Sequence, residues 1–168
     1  MKSGQPRFLA DSMLGSLARK LRLLGIDTLY IKDADDNELK YLVRSQDRCL
    51  LTRDTDLSGA PGLQAWLVTG YNVREEFLSI AERLAPFCEQ SESFSRCLDC
   101  NDLLIPILAG EAEGKVPPYI YQRKETFSSC PSCGKVFWDG THRKRMSEEI
   151  SWMKEVLEEE RRRGEEGR

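Results

Sequence analysis

Aspartates recur where short apolar segments of the sequence end. The segment FLA is followed directly by Asp11, and the segment LLTR is followed by Asp54. A third apolar segment, DTLYI, leads into the acidic cluster KDADDNE, which contains Asp35 and Asp36. Carboxylates that lie close together repel one another unless a cation joins them, and oxygen-only ligands suit Mg²⁺ or Mn²⁺. One or two such ions can activate water for the hydrolysis of a phosphodiester bond.

The elements that must position these aspartates are strands that alternate with helices. Leucines recur every three or four residues in MLGSLARKLRLLG, which predicts a helix that Gly25 terminates. Asp35 with Glu38, and Asn72 with Glu75, are typical of the caps that open the next two long helices. Because this alternation predicts a parallel sheet, and ligands bind at the carboxyl ends of such strands, we expect the aspartates to meet at one edge.

Each aspartate also has an ordinary alternative role as a helix cap or turn residue. Three of them at strand ends within one short α/β unit favour the metal site over that alternative. Three arginines, Arg19, Arg22 and Arg53, could hold substrate phosphates. They could equally pair with aspartates in a structural network or remain solvated, and their spacing leaves these alternatives open.

Two CxxC pairs occupy the second half of the sequence. Cys97 and Cys100 form the first pair, and Cys130 and Cys133 form the second. Two such knuckles predict a structural zinc ion held by four thiolates. The long gap between them indicates an inserted hairpin, in which PPYIYQ is predicted to be a strand. A redox role fits less well, because neither pair opens a helix after a strand.

The surroundings of the cysteine pairs combine positive charges with aromatic rings, a composition suited to single-stranded nucleic acid. These residues are Lys115, Tyr119, Tyr121, Arg123, Lys124, Phe127, Phe137 and Trp138. A small core around the zinc is the alternative explanation for at least half of the aromatic residues. The other cysteines, Cys49 and Cys88, are predicted to be small apolar core residues. The sole histidine, His142, excludes a histidine-based catalytic triad and an HExxH metalloenzyme.

Length and composition describe a soluble globular protein. The 168 residues, 40% hydrophobic and 32% charged, suffice for one domain with a small appended module. No segment approaches the roughly 20 apolar residues of a membrane span, and the start of the sequence lacks a signal-peptide core. We therefore expect a cytoplasmic protein, in which cysteines favour metal binding over disulfides. The net charge of −3 argues against a protein that coats nucleic acid non-specifically.

The C-terminal segment is predicted to be a helix that begins at Ser147. Ile150, Met153, Val156 and Leu157 share one face of this helix. Its last ten or so residues are a run of charges that we expect to be solvated.

In its motifs the chain resembles the Mut-seven C-terminal RNase family, a branch of the PIN-like nucleases that carries a C-terminal zinc ribbon. The resemblance rests on FLADSMLGSLARKLRLLGIDTLY, ADDNEL, LLTRDTDL, SRCLDCNDLL and CPSCGKVFWDGTH, in family order between residues 7 and 146. It implies a PIN-like α/β domain at residues 1–90, a parallel sheet flanked by helices. It also implies a four-cysteine zinc ribbon at residues 94–146, which leaves residues 147–168 as a charged helix or tail.

The same resemblance implies the site residues and the activity. Asp11, Asp36 and Asp54 match the family's acidic residues that bind Mg²⁺ or Mn²⁺, with Asp35 as the alternative to Asp36 and Asp56 as an additional ligand. The expected function is a metal-dependent ribonuclease that hydrolyses RNA phosphodiester bonds, with Arg19, Arg22 or Arg53 as the candidate contact to the phosphates. The zinc ribbon is expected to position RNA or to contact a protein partner, and no oligomeric state is predicted.

Three other functions compete with the ribonuclease. A non-catalytic RNA-binding adaptor would use the zinc ribbon. It would retain, without catalysis, the sheet edge that carries Asp11, Asp36 and Asp54, which we call the acidic edge. A phospho-acceptor receiver domain needs a further strand that ends in lysine, and none follows AWLV. A haloacid-type phosphatase needs DxD after the first strand, where this chain has DSM.

Overall fold

A parallel sheet forms the centre of the first half of the chain. The computed structural model describes residues 6–88, 91–124 and 126–167, with the backbone alone at residues 141–144. The four strands are β1 (Phe8–Ala10), β2 (Thr28–Tyr30), β3 (Cys49–Thr52) and β4 (Ala65–Leu67). They are ordered β2-β1-β3-β4, and every neighbouring pair is parallel. The predicted α/β architecture is therefore confirmed.

Helices cover both faces of this sheet. They are α1 (Gly15–Leu23), α2 (Asp36–Gln46), α3 (Thr55–Ser58) and α4 (Val73–Leu84). Phe8 and Leu51 point to the face that α1 and α4 cover, whereas Leu9 and Leu50 point to the face that α2 and α3 cover. Strands buried on both faces are apolar throughout, as β1 is. We call β1–β4 with α1–α4 the parallel-sheet unit.

Two predictions about single residues in this unit are confirmed. Gly25 follows α1 with a backbone φ of 87°, a left-handed conformation that glycine adopts without strain. Cys49 is buried, and Cys88 packs against the same core. Burial raises the pKa of both thiols to about 12, so they remain neutral at physiological pH.

An antiparallel sheet forms the second half, which we call the ribbon unit. Its strands are β5 (Ile105–Ile107), β6 (Phe127–Ser129) and β7 (Val136–Trp138), in that order. The prediction that PPYIYQ is a strand is wrong, because Pro118–Tyr121 forms a helical turn, α5. Proline lacks the N–H that a sheet ladder needs and is favoured at the first position of a helix. Phe127, Trp138 and Tyr121 pack in the small core of this unit.

The chain ends in a long helix, α6 (Thr141–Glu166), that packs on α4. Its predicted apolar face is confirmed, because Ile150, Met153 and Leu157 are buried in the core of the parallel-sheet unit. The predicted start at Ser147 is wrong, since the helix begins directly after Gly140, whose extended backbone forms the N-cap. The charged end of α6 is exposed at residues 162–166, as predicted, whereas Glu160 and Arg161 are partly buried. Within the described ranges, every helix is too short or too polar to cross a bilayer.

Candidate functional site

Asp11 and Asp54 lie at the carboxyl ends of two neighbouring strands. The register of β1 and β3 pairs Ala10 with Leu51, and the backbone N–H of Asp11 donates to the Leu51 carbonyl at 2.9 Å. Thr52 follows Leu51 and is fully buried. Its hydroxyl donates to Asp11 Oδ2 at 2.8 Å and accepts the backbone N–H of Asp54 at 3.0 Å. One threonine side chain therefore joins the two aspartate segments.

The Asp54 carboxylate caps α3 with one of its two oxygens. Asp54 Oδ1 accepts the backbone N–H groups of Asp56 at 2.7 Å and of Leu57 at 3.0 Å. In the described part of the chain, Asp54 Oδ2 accepts no hydrogen bond. Asp56 is exposed in the first turn of α3. The capping role and a metal-binding role are thus compatible, because they use different oxygens of Asp54.

The acidic pair after β2 lies at the start of α2. Asp35 Oδ1 accepts the backbone N–H groups of Asn37 and Glu38, both at 2.9 Å, which confirms the predicted cap. Asp36 is the first residue of the helix, and its side chain is exposed. Because β2 is the neighbour of β1 in a parallel sheet, this pair follows the same edge of the sheet as Asp11.

The three predicted acidic ligands do not form a closed cluster. Among the described residues, only the four zinc-knuckle cysteines form a group of three or more ligand side chains whose ligand atoms lie within 4.8 Å of one another. Asp11, Asp36 and Asp54 thus share one edge of the sheet but form a more open arrangement. Mg²⁺ tolerates such an arrangement, since it retains several waters and is commonly held by one or two carboxylates.

The three predicted arginines lie in two different places. Arg22 is buried, and its guanidinium donates to the carbonyls of Thr28 at 2.8 Å, Leu98 at 2.8 Å and Asp99 at 2.9 Å. Arg19 donates to the Asp99 carboxylate. Both side chains therefore contact the loop between Cys97 and Cys100, a contact that spacing along the sequence does not reveal.

Arg53 is the predicted arginine at the acidic edge, directly before Asp54. Its Nη1 lies 3.8 Å from Oε1 of Glu76, a residue of α4 that is only 7% exposed. Burial raises the pKa of Glu76, and the Arg53 charge opposes that shift.

Sequence reasoning missed both Glu76 and Thr52. Glu76 reads as an ordinary acidic residue in the first turn of a helix, and the only signal at Thr52 is a polar residue that ends an apolar strand.

All four predicted zinc ligands come together in the structure. Cys97, Cys100, Cys130 and Cys133 place their sulfurs within 4.8 Å of one another, and the Sγ atoms of Cys97 and Cys133 are 3.8 Å apart. The backbone N–H of Lys135 lowers the pKa of the Cys133 thiol to about 7. Four sulfur donors at this spacing fit a tetrahedral zinc ion. The side chain of His142 lies outside the described residues.

The first cysteine pair docks on the amino ends of the parallel strands. The Asn101 side chain accepts the backbone N–H of Thr28 at 2.9 Å and donates to Asp27 Oδ1 at 2.8 Å. Asp27 Oδ1 also accepts from Arg48 Nη1 at 2.6 Å. Asp27 and Arg48 directly precede β2 and β3, whereas Asp11 and Asp54 follow β1 and β3. The four-cysteine cluster and the aspartates therefore occupy opposite edges of one sheet.

A family model described as the Mut7-C RNAse domain matches residues 6–150. The chain belongs to this family. The matched range includes the parallel sheet, its acidic edge and the four-cysteine cluster, so the resemblance seen in the motifs is confirmed. Membership indicates a nuclease-type function. No match was found among curated proteins or among solved structures.

Proposed function

We propose that this chain is a metal-dependent ribonuclease that hydrolyses RNA phosphodiester bonds at the carboxyl edge of its parallel sheet. The observation that carries the proposal is the link from Asp11 through Thr52 to Asp54, in a chain whose family is an RNase domain. In this proposal residues 1–90 are the nuclease domain and residues 94–146 are the zinc ribbon. The C-terminal segment 147–168 supports the nuclease domain through the apolar face of α6.

Asp11, Asp36 and Asp54 would hold Mg²⁺ or Mn²⁺, and Asp35 and Asp56 are the additional candidate ligands. The donor set fits these ions, because every candidate ligand atom is a carboxylate oxygen. Asp54 Oδ2 accepts no hydrogen bond in the described structure, so it is available as a ligand. When bound, the ion would lower the pKa of a water and neutralise charge on the phosphate.

The surrounding side chains orient the acidic groups. Thr52 fixes one oxygen of Asp11, and the backbone N–H and hydroxyl of Ser12 fix the other. Arg53, whose side chain is 36% exposed, would neutralise a phosphate group of the RNA. Arg19 and Arg22 were candidates for the same role, but their contacts with the first cysteine loop favour a structural role for both.

The ribbon unit would position the RNA or contact a protein partner while its zinc ion maintains the fold. A module of this size buries little apolar surface and depends on its metal for stability. A cytoplasmic location, where thiols remain reduced, fits such a centre.

The test is cleavage of end-labelled single-stranded RNA in Mn²⁺, in Mg²⁺ and in EDTA. We expect cleavage that requires the metal and is lost in the Asp11→Asn/Asp54→Asn double variant. The matched control is Asp47→Asn, because Asp47 is an exposed aspartate that ends α2 near the amino edge of the sheet. Metal-dependent cleavage that survives the double variant would place the active site elsewhere.

A non-catalytic RNA-binding adaptor is the second candidate function. The observation that favours it is the open arrangement of the aspartates, since in the described structure only the cysteines form a closed ligand group. Titration with Mn²⁺ separates the two functions. A ribonuclease must bind the ion through Asp11 or Asp54, whereas an adaptor binds RNA without doing so.

A further inference from the structure

A cavity of about 420 Å³ lies between the parallel-sheet unit and the ribbon unit. Leu23 and Phe94 line it from the side of the parallel sheet, Phe137 and Trp138 line it from β7, and Met146 of α6 contributes to its wall. Its volume lies within the roughly 300–1,000 Å³ of small-molecule sites. The zinc centre and the acidic edge lie outside this cavity, so neither explains why it is there.

Phe137 offers this cavity an aromatic surface. Alternation along β7 directs Val136 and Trp138 toward the core of the ribbon unit, and Phe137 to the opposite face. Among the described residues, Phe137 belongs to none of the hydrophobic cores and remains half-buried. A planar ring could therefore stack on it without displacing core packing.

Ser93, a residue of the cavity lining, carries an unpaired hydroxyl. Ser93 Oγ is buried, and it has no hydrogen-bond partner in the described structure. An unpaired buried hydroxyl is costly, so a ligand that supplies its partner gains affinity. The next residue, Phe94, has a φ of 65°, a conformation that costs a non-glycine residue about 1–3 kcal/mol and that clusters at ligand sites.

The described lining of the cavity offers a phosphate no unengaged cation. Among the described residues, Arg96 is the one cationic residue of the lining, and its guanidinium already donates to the carbonyls of Gly25 at 3.0 Å and Asn101 at 2.8 Å. Glu92 and Asp139 are acidic residues of the same lining. The described lining therefore favours a neutral ligand over an anion. A neutral aromatic ring matches these features.

We infer that this cavity binds one nucleobase of the RNA, stacked on Phe137 and hydrogen-bonded to Ser93. The inference rests on the proposed RNA-binding function and adds a base-binding subsite to it. That subsite is remote from the acidic edge, because it lies beside the ribbon unit that docks at the amino ends of the strands. The backbone phosphates would be held elsewhere, and this subsite would anchor the RNA by a base.

The experiment compares the binding of two single-stranded RNA oligomers of equal length and charge, oligo(A) and a fully abasic oligomer. Fluorescence anisotropy is measured on the zinc-loaded full chain carrying Asp11→Asn/Asp54→Asn, which prevents cleavage. Stacking of one base is worth roughly 5- to 150-fold in affinity, so we expect oligo(A) to bind tighter by about that factor. Phe137→Leu, which keeps an apolar side chain, should remove most of this preference, and Ser93→Ala should reduce it.

The matched control is Tyr41→Leu, because Tyr41 is an exposed aromatic residue of α2 that does not line the cavity. This variant should retain the preference for oligo(A). Zinc content and circular dichroism establish that each variant is folded. A folded Phe137→Leu variant that still prefers oligo(A) would overturn the inference. Equal binding of both oligomers by the parent chain would also overturn it, and is the result expected if a protein segment occupies the cavity.

The result of this binding experiment can be distinguished from the result of the RNA-cleavage test of the ribonuclease proposal. Cleavage by the wild-type chain without any base preference would retain the ribonuclease and reject the subsite. A base preference lost in Phe137→Leu, in a chain that never cleaves RNA, would support the subsite within an RNA-binding adaptor.

Discussion

The hydroxyl of Thr52 donates to Oδ2 of Asp11 at 2.8 Å, across the β1–β3 pair of the parallel sheet. The same hydroxyl oxygen accepts the backbone N–H of Asp54. The first bond depends on the register of two strands from distant parts of the sequence, and the second is local, so together they fix the relationship of the two aspartates before any cation binds. This preorganisation is what a metal site requires of its ligands.

Replacement of Thr52 by valine tests this relationship. Thr52→Val leaves the N–H of Asp54 and one oxygen of Asp11 without this partner, which should lower the free energy of unfolding by about 1–3 kcal/mol. The affinity for Mn²⁺ and the metal-dependent cleavage of RNA should fall with it. Urea unfolding and Mn²⁺ titration measure these effects.

Thr52→Ser is the control, because it retains the hydroxyl and removes one methyl group. It should retain Mn²⁺ affinity close to that of the wild type. If valine and serine affected Mn²⁺ binding equally, the hydroxyl would not be what orients the aspartates.

Replacement of Arg22 by methionine tests how the first cysteine loop is held. Arg22→Met keeps much of the apolar stem but removes the donors to the carbonyls of Thr28, Leu98 and Asp99. We expect the free energy of unfolding to fall by about 1–3 kcal/mol and zinc to be lost at lower chelator concentrations. Unfolding and zinc release are followed during titration with a chelator.

Arg44→Met is the matched control, since Arg44 is an exposed residue near the end of α2. It should leave zinc release unchanged. Identical chelator sensitivity of the Arg22 and Arg44 variants would mean that the buried guanidinium does not support the zinc loop.

The Asp27 carboxylate predicts a pH dependence of stability. Burial acts to raise its pKa, but hydrogen bonds from Arg48 and Asn101 and the charges of Arg48 and Arg96 lower it overall. A carboxyl whose pKa is lower in the folded chain stabilises the fold above its unfolded pKa of about 3.9. That contribution is lost as the pH falls through the lower folded value.

We therefore expect Asp27→Asn to destabilise the chain most at neutral pH. The difference in unfolding free energy from the wild type should shrink progressively below about pH 4, where the carboxyl is protonated first in the unfolded chain and then, at lower pH, in the folded chain. Urea unfolding of both proteins between neutral and acidic pH measures it. A difference that stays constant over this range would contradict the role assigned to the ionised carboxylate.

The C-terminal helix should be indispensable for stability although it follows the ribbon unit. Met153 is fully buried in the core of the parallel-sheet unit, so Met153→Ala should lower the free energy of unfolding by about 2–5 kcal/mol. The control is Lys154→Ala, because Lys154 is the neighbouring exposed residue, and this variant should change the free energy of unfolding little. A neutral Met153→Ala variant would indicate that α6 is dispensable for the core.

Local patterns account for the parts of this protein that could be predicted. Apolar strands followed by aspartates, the cap at Asp35 and the CxxC pairs depend on residues close together in the chain. The incorrect predictions arose where a local pattern was ambiguous. The aromatic residues of PPYIYQ indicated a strand, but the prolines Pro117 and Pro118 start a helical turn.

The sequence by itself determined the family, the parallel α/β fold, the four cysteines and the acidic strand ends, because residue type and short spacing carry that information. Only the tertiary structure decided which groups face one another. It joined Asp11 to Asp54 through Thr52, turned Arg22 toward the zinc loop and left Arg53 at the acidic edge. It also set the four-cysteine cluster and the aspartates at opposite edges of one sheet. These relationships depend on strand order and on the docking of distant segments, which no local pattern encodes.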